Sequence, residues 1–196
     1  GKLVEAGGKT MLLGAPREQL AEAIPYSQLV FARQKYALID ELEGLDPQDR
    51  RAPVLEALGG KGRYGDLSVE TPDSDDARPL AALAKAFGNA LRPALRKRGL
   101  LTDKPNPKLP MLHVVFVRNN HLLLAGSNAD DRSPWPMGIP RLKQDSRAPS
   151  RSAMKLDEAL ACLMTPAERM DLITEGMTAA DLGASPGGWS WVLAKH

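Results

Sequence analysis

Residues 177–196 combine an apolar segment, a glycine-rich turn and a second apolar segment, and this arrangement constrains the fold more than any other part of the sequence. The segment MTAADLG at 177–183 predicts a short buried strand, and WSWVLAKH at 189–196 predicts the start of a helix. Glycines leave backbone amides accessible, and a helix N-terminus carries positive partial charge. The turn therefore predicts a site for a carboxylate or phosphate in an α/β fold, although an ordinary strand-to-helix turn explains the same pattern.

The spacing of the glycines narrows the class of ligand. Gly183, Gly187 and Gly188 do not form the G-x-G-x-x-G pattern of dinucleotide-binding loops, and no Gly-Lys-Ser or Gly-Lys-Thr closes the turn as it does in a P-loop. This spacing disfavours an NAD-dependent oxidoreductase.

Strand patterns occur several times in the preceding residues. MLHVVFV at 111–117 and HLLLAGS at 121–127, separated by a short polar turn, predict a hairpin, and GDLSVETP at 65–72 predicts another strand. QLVFARQKYALIDELEG at 28–44 predicts one long or bent strand.

A helix pattern lies between these strand patterns. Residues 73–100 begin with acids, end with bases and carry apolar residues at helical spacing, which predicts a helix that stops at Gly99 and that Pro93 kinks or divides. Strands that alternate with helices predict an α/β or α+β layer architecture.

The composition changes after residue 126. Residues 127–151 contain four prolines and little apolar periodicity, which predicts a linker in which Trp135 serves as an anchor. SAMKLDEALACLM at 152–164 then predicts an amphipathic helix capped by Ser150 or Ser152.

Basic residues concentrate in two stretches of a chain whose formal net charge is only +2. Six lie between Arg92 and Lys108 beside the single acid Asp103, and five lie between Arg141 and Lys155 beside Asp145. These stretches indicate either solvated faces or contacts with RNA phosphates, for which the candidates are Arg92, Arg96, Lys97, Arg98, Arg141 and Lys143.

Other functional classes are disfavoured. The single cysteine, Cys162, rules out an internal disulfide and suits a reducing cytoplasm. The apolar runs are too short to cross a membrane, and no leader is evident, so we expect no membrane partner. The three histidines and the acids show no metal-ligand spacing, so we expect no metal site.

Four ordered motifs extend these observations: IPYSQLVFARQ, MGIPRLK, APSRSAMKLDEAL and DLGASPGGW. With them the chain resembles, from about residue 24 onwards, the bacterial large-subunit ribosomal RNA methyltransferases of the M type (RlmM type). The resemblance implies a THUMP-like RNA-binding region over residues 1–138, a linker over 139–150 and, over 151–196, the beginning of a Rossmann-like, FtsJ-like methyltransferase domain. It also implies that the activity is S-adenosylmethionine-dependent 2'-O-methylation of a cytidine ribose in 23S rRNA.

The resemblance assigns roles to individual residues. Cofactor contacts are implied for Ser152, Asp181, Gly183, Ser185, Pro186, Gly187 and Gly188. Lys155 matches the first lysine of a Lys-Asp-Lys-Glu catalytic tetrad, where it would orient or electrostatically tune the reacting centre. Ser152 also suits a plain helix cap, and both roles are compatible.

The remaining tetrad residues would lie beyond His196, so we expect the chain to be a fragment that lacks transfer activity on its own. The Gly1 start leads to the same expectation for the other end. The alternative is a non-catalytic RNA-binding module in which the glycine loop has only a structural role.

Overall fold

A computed structural model describes residues 3–5, 11–13, 25–29 and 31–195. The chain divides into two compact units, Gly1–Gly138 and Ile139–His196. The first unit is built on a sheet, whereas the described residues of the second unit form helices and loops.

The first unit contains a four-stranded mixed sheet. Its strands are β3 (Ala37–Leu42), β4 (Asp66–Glu70), β5 (Met111–Arg118) and β6 (His121–Ser127), arranged in the order β3-β6-β5-β4. β6 pairs antiparallel with both β3 and β5, and β4 runs parallel to β5. A separate antiparallel pair consists of β1 (Leu3–Glu5) and β2 (Met11–Leu13).

The core of this unit lies between one face of the sheet and two helices, α1 (Arg51–Ala57) and α2 (Leu80–Lys97). Helix α2 buries Ala84, Phe87, Leu91 and Leu95, which lie along one face at helical spacing. The rings of Phe87 and Phe116 meet edge to face with centroids 5.4 Å apart. The predicted layer architecture is therefore confirmed.

Helix α2 continues through Pro93 and stops where the sequence predicts. The amide of Gly99 donates to Arg96 O (2.9 Å), and that of Leu100 donates to Leu95 O (2.9 Å). These two bonds form a Schellman motif, which satisfies carbonyls at the helix end.

A buried polar network lies on the opposite face of the sheet. Each oxygen of the buried Glu70 carboxylate accepts two hydrogen bonds. Oε1 accepts from Ser68 Oγ (2.5 Å) and His113 Nδ1 (3.2 Å). Oε2 accepts from the Tyr36 hydroxyl (2.8 Å) and the Met137 amide (3.1 Å). Glu70 thus joins the sheet to Met137, which lies in the first part of the stretch 127–151 that the composition predicts as a linker.

The same segments are held together by further contacts. The side-chain amide of Gln34 accepts from the Ser133 amide (2.9 Å) and donates to Ser133 O (3.3 Å), and Lys35 pairs with Asp131 (2.5 Å). The predicted strand over 28–44 is wrong for the described residues before Ala37, since Gln28 ends a 3-10 turn (Tyr26–Gln28) and residues 31–36 form no strand. Among the described residues of this stretch, Ala37–Leu42 alone form a strand that pairs with a neighbour.

The second unit contains α3 (Ser152–Leu163), α4 (Pro166–Leu172) and α5 (Gly188–Lys195). Ala153, Leu160 and Val192 form its buried centre, where α3 packs on α5. The predicted strand at 177–183 is wrong, since these residues are mostly exposed and form no strand. A strand needs a partner for its backbone groups, and none of residues 139–195 provides one.

Candidate functional site

The glycine loop leads directly into helix α5. Gly183 and Gly187 adopt φ values of 78° and 90°, and α5 begins at Gly188. Ser185 and Pro186 lie exposed at the outer part of the loop, whereas Gly188 is buried at its base. The loop residues predicted as cofactor contacts therefore occupy one continuous turn at the N-terminus of a helix.

Asp181 fixes the start of that helix. One carboxylate oxygen, Oδ2, accepts from both the Ser190 amide (3.0 Å) and the Ser190 hydroxyl (2.8 Å). A carboxylate in this position satisfies an amide of the first turn and interacts favourably with the positive helix end. Asp181 thus holds the loop in shape, and its partner Ser190 is a site residue that the sequence analysis did not identify.

The starts of α3 and α5 lie directly against each other. A Cβ at Gly188 would clash with Ser152 Oγ and would lie 2.5 Å from Ser150 Oγ. The two serine hydroxyls are hydrogen-bonded to one another (2.5 Å), and the Trp189 indole donates to Ser152 O (3.0 Å). Only glycine fits at position 188, because the serine hydroxyls occupy the space that a side chain would need.

This junction concentrates hydrogen-bond donors. The amides of Gly188 and Trp189 have no acceptor within the part of the chain that the structure describes, and the hydroxyls of Ser150 and Ser152 lie beside Gly188. Unpaired amides at a positive helix end, next to hydroxyls, suit a carboxylate or another anionic group. The donors present thus fit the anionic end of an amino-acid-like cofactor.

Ser152 and Lys155 share a face of α3 because they are three residues apart. The predicted capping of this helix by Ser150 or Ser152 is wrong, because Arg151 occupies the N-cap without a side-chain cap hydrogen bond; the Ser152 amide, one residue inside the helix, donates to Ser150 Oγ (3.3 Å). Lys155 is exposed and forms no ion pair with a carboxylate among the described residues. Its ammonium group is therefore available about one helical turn from the junction.

The basic candidates of α2 differ in their environments. Arg96 donates to Thr102 O (3.2 Å) and Arg98 to Leu55 O (3.4 Å), while Lys97 is exposed. Arg92 is different, because it binds Asp66 Oδ1 (2.5 Å) and Leu67 O (2.7 Å) and thereby ties α2 to β4. In the second unit, Arg141 and Lys143 are exposed and lie outside any helix or strand.

Replacing Arg92 with glutamine is expected to lower the free energy of unfolding by about 1–2 kcal/mol, since Asp66 and Leu67 O lose a charged partner at a partly exposed position. Urea unfolding measures this change. Lys97→Gln is the control, because Lys97 is exposed on the same helix, and its effect should stay below about 0.5 kcal/mol. Equal stability of the two variants would contradict the assignment of Arg92 as a structural residue.

One cluster of possible metal ligands was not predicted from the sequence. His121 Nε2 lies 3.0 Å from Glu41 Oε1 and 3.7 Å from Glu43 Oε1. These residues meet because β3 pairs with β6, a contact between distant parts of the sequence. A direct hydrogen bond between His121 and Glu41 explains the geometry, and the absence of a metal site stays a prediction.

The described helices include none that combines the length and the apolar character needed to cross a membrane.

Two protein families match different parts of the chain. Residues 49–128 match the family described as ribosomal RNA large subunit methyltransferase M, N-terminal, and residues 148–196 match the FtsJ-like methyltransferase family. The first match covers α1 to β6, and the second contains the junction of α3 and α5.

Individual relatives match across both regions. Proteins named ribosomal RNA large subunit methyltransferase M from Xanthomonas campestris pv. campestris (strain B100) and Xanthomonas oryzae pv. oryzae (strain PXO99A) are each 60% identical over 178 residues. The protein of that name from Xanthomonas axonopodis pv. citri (strain 306) is 61% identical over 178 residues. Each match covers 91% of this chain and 51% of the relative, so the chain spans about half the length of these curated relatives. On these matches, the chain is similar to ribosomal RNA large subunit methyltransferases M over most of its own length and about half of theirs.

Proposed function

We propose that the protein carrying this chain transfers a methyl group from S-adenosylmethionine to the 2'-hydroxyl of a cytidine in 23S rRNA. The observation that carries the proposal is the junction of Ser150, Ser152 and Gly188. There the unpaired amides at the start of α5 lie beside two serine hydroxyls that are bonded to each other, within the part that matches the FtsJ-like family. The proposed division is a THUMP-like RNA-binding region over 1–138, a linker over 139–150 and the start of the methyltransferase domain over 151–196. An rRNA substrate and a single cysteine favour the cytoplasm.

The junction would hold the methionine end of the cofactor. The amides of Gly188 and Trp189 and the hydroxyl of Ser152 would donate to its carboxylate, while Asp181 would keep α5 in position through Ser190. Ser185 and Pro186, on the exposed side of the turn, would border the bound cofactor. When bound, S-adenosylmethionine supplies an electrophilic methyl group on its sulfonium.

Lys155 would act on the substrate side. A ribose hydroxyl is a weak nucleophile near neutral pH, so its attack on the methyl group benefits from groups that orient it and that accept its proton. The exposed ammonium of Lys155 can orient the hydroxyl or stabilise negative charge that develops on its oxygen. By family resemblance, a lysine beyond residue 196 would accept the proton.

Calorimetric titration with S-adenosylmethionine tests the proposed cofactor site. The intact gene product is expected to bind the donor, and Gly188→Ala is expected to weaken binding. The added methyl group would push against Ser150 and Ser152, and overpacking of this kind costs about 1–3 kcal/mol, which corresponds to a loss of roughly 5- to 150-fold in affinity.

Gly176→Ala is a matched control for this titration. Gly176 also belongs to the second unit and has a φ of 82°, so alanine there introduces backbone strain, but the space around it is open and it lies outside the loop. The control should retain donor affinity. An intact protein that binds neither the donor nor its demethylated product would overturn the enzyme proposal and favour the alternative, a non-catalytic RNA-binding module.

A further inference from the structure

Basic residues from two separate segments, all exposed except the half-buried Arg96, meet at one end of the first unit, which we call the basic end. One segment is the glycine-rich turn before β4, and the other is the C-terminal part of α2 with the loop that follows it. The basic end comprises Lys61, Arg63, Arg96, Lys97, Arg98, Lys104 and Lys108.

Backbone hydrogen bonds hold the two segments side by side. The Tyr64 amide donates to Leu100 O (2.8 Å), the Thr102 amide donates to Tyr64 O (3.1 Å), and the Gly65 amide donates to Pro110 O (2.8 Å). Because Arg63 precedes Tyr64 directly in the chain, these bonds hold its backbone close to the loop that follows α2. Sequence spacing gives no sign of this proximity, since about 35 residues separate the segments.

The turn itself presents Lys61. Gly60 and Gly62, on either side of it, adopt φ values of 73° and 100°, which only glycine adopts readily, and both lie in open space. The conformation of GGKG thus places an exposed lysine at the tip of a turn that other residues would not form easily.

The charge of the basic end is compensated only in part by nearby carboxylates. Within residues 31–195, Lys61, Arg63, Lys97, Lys104 and Lys108 form no ion pair with a carboxylate, and Arg96 and Arg98 donate to carbonyls. Among the nearby carboxylates, that of Asp66 is already bound by Arg92, so Glu56 and Asp103 remain to offset these positive charges. Like charges brought together without partners repel one another, and a polyanion relieves that repulsion.

The opposite end of the unit has the opposite character. At this end lie the β5–β6 turn and the end of β3, which pairs with the start of β6. The start of α2 lies there too, because α2 runs antiparallel to β4, with Gly88 against Val69 and Arg92 against Asp66. This acidic end carries seven acids against four arginines (Arg50, Arg51, Arg78 and Arg118), and the acids are Glu41, Glu43, Asp46, Asp49, Asp73, Asp75 and Asp76. A unit polarised in this way presents its basic end to a polyanion and turns its acidic end away.

We infer that the basic end is the surface through which the first unit contacts RNA phosphates, and that Lys61 and Arg63 belong to it whereas Arg92 does not. This inference rests on the proposed function for the identity of the polyanion, ribosomal RNA. Each neutralised phosphate releases counterions, so the surface makes binding strongly dependent on salt.

The test compares two double variants of the intact gene product in binding to protein-free 23S rRNA over a series of KCl concentrations. Lys61→Gln/Arg63→Gln removes two charges from the basic end. It should weaken binding and reduce the slope of log Kd against log salt by about 2, because about one unit is lost per phosphate contact. Arg51→Gln/Arg118→Gln removes two exposed charges at the acidic end and should leave the slope unchanged.

The result separates this inference from the proposed function. Wild-type affinity and slope in Lys61→Gln/Arg63→Gln would overturn the inference even if the protein methylates rRNA, and equal losses in the two variants would also overturn it, since they would show a general effect of net charge. A selective loss in Lys61→Gln/Arg63→Gln supports the inference. If calorimetry of the wild-type protein then shows no donor binding, only the enzyme proposal fails.

Discussion

Replacing Lys155 with alanine in the intact gene product is expected to reduce methyl transfer at least about 100-fold, the lower range for losing a group that assists proton transfer or charge stabilisation. Donor affinity should be nearly unchanged, because the contacts at the junction come from Ser152 and the start of α5. The fold should also be retained, since Lys155 is exposed and outside the cluster of Ala153, Leu160 and Val192. Single-turnover transfer of radiolabelled methyl groups to 23S rRNA, together with calorimetry, measures both quantities.

Glu158→Ala is the control for Lys155. Glu158 is exposed one turn further along the same face of α3, so its truncation perturbs the helix to a similar degree without removing the ammonium group. It should leave turnover near the wild-type rate. Full activity of Lys155→Ala would refute the assigned role, and equal donor-binding losses in both variants would point to a structural effect.

The elements predicted correctly are those whose signals are local. The hairpin of β5 and β6 follows from two apolar runs with a short polar turn, and α2 follows from its apolar spacing and the stop at Gly99. Each signal extends over a few residues and matches the period of the element it specifies. These patterns determine the α/β character of the first unit.

The wrong predictions concern apolar segments whose structure depends on distant partners. Residues 28–36 read as a strand, but Gln34 and Lys35 bond instead to 131–135. Residues 177–183 also read as a strand, yet no strand among the described residues of the second unit can pair with them. Composition specifies the apolar character of a segment, whereas pairing determines whether it becomes a strand.

The candidate site, like the fold, could be predicted from the sequence only in part. The loop at Gly187 and Gly188 is recognisable from its sequence, but its contact with Ser150 and Ser152 joins residues more than 30 positions apart. The bond between Asp181 and Ser190 follows only from the start of α5 in three dimensions. The sequence pattern around the loop therefore identifies the loop residues, but it does not show which hydroxyls and amides lie close together in the fold.

The second large effect is expected from Glu70, whose carboxylate is buried with four donors around it. Glu70→Ala would leave His113, the Tyr36 hydroxyl and the Met137 amide without their acceptor in a buried site. Breaking such a network by removing one partner costs about 3–5 kcal/mol of unfolding free energy. Urea unfolding, followed by hydrogen exchange of peptides from β4 and β5, measures this loss in the first unit. Glu43→Ala is the control, because that carboxylate is exposed, and its effect should be below about 1 kcal/mol.

The pH dependence identifies the charged carboxylate as the stabilising species. Burial raises the pKa of Glu70, but the hydrogen bonds from His113, Ser68 and Tyr36 outweigh it and lower the pKa below its ordinary value of 4.5. Burial, with the nearby Glu70 charge, raises the pKa of the Tyr36 hydroxyl far above its ordinary value, so the hydroxyl stays a donor. Because the folded-state pKa of Glu70 is depressed, the stabilisation of the fold by its charged carboxylate is fully present above about pH 4.5 and is lost as the pH falls through the folded-state pKa.

Glu70→Gln imitates the protonated acid, so the difference in unfolding free energy between this variant and the wild type should narrow below pH 4.5. A difference that stays constant from neutral pH into the acid range would show that the charge of Glu70 does not stabilise the fold.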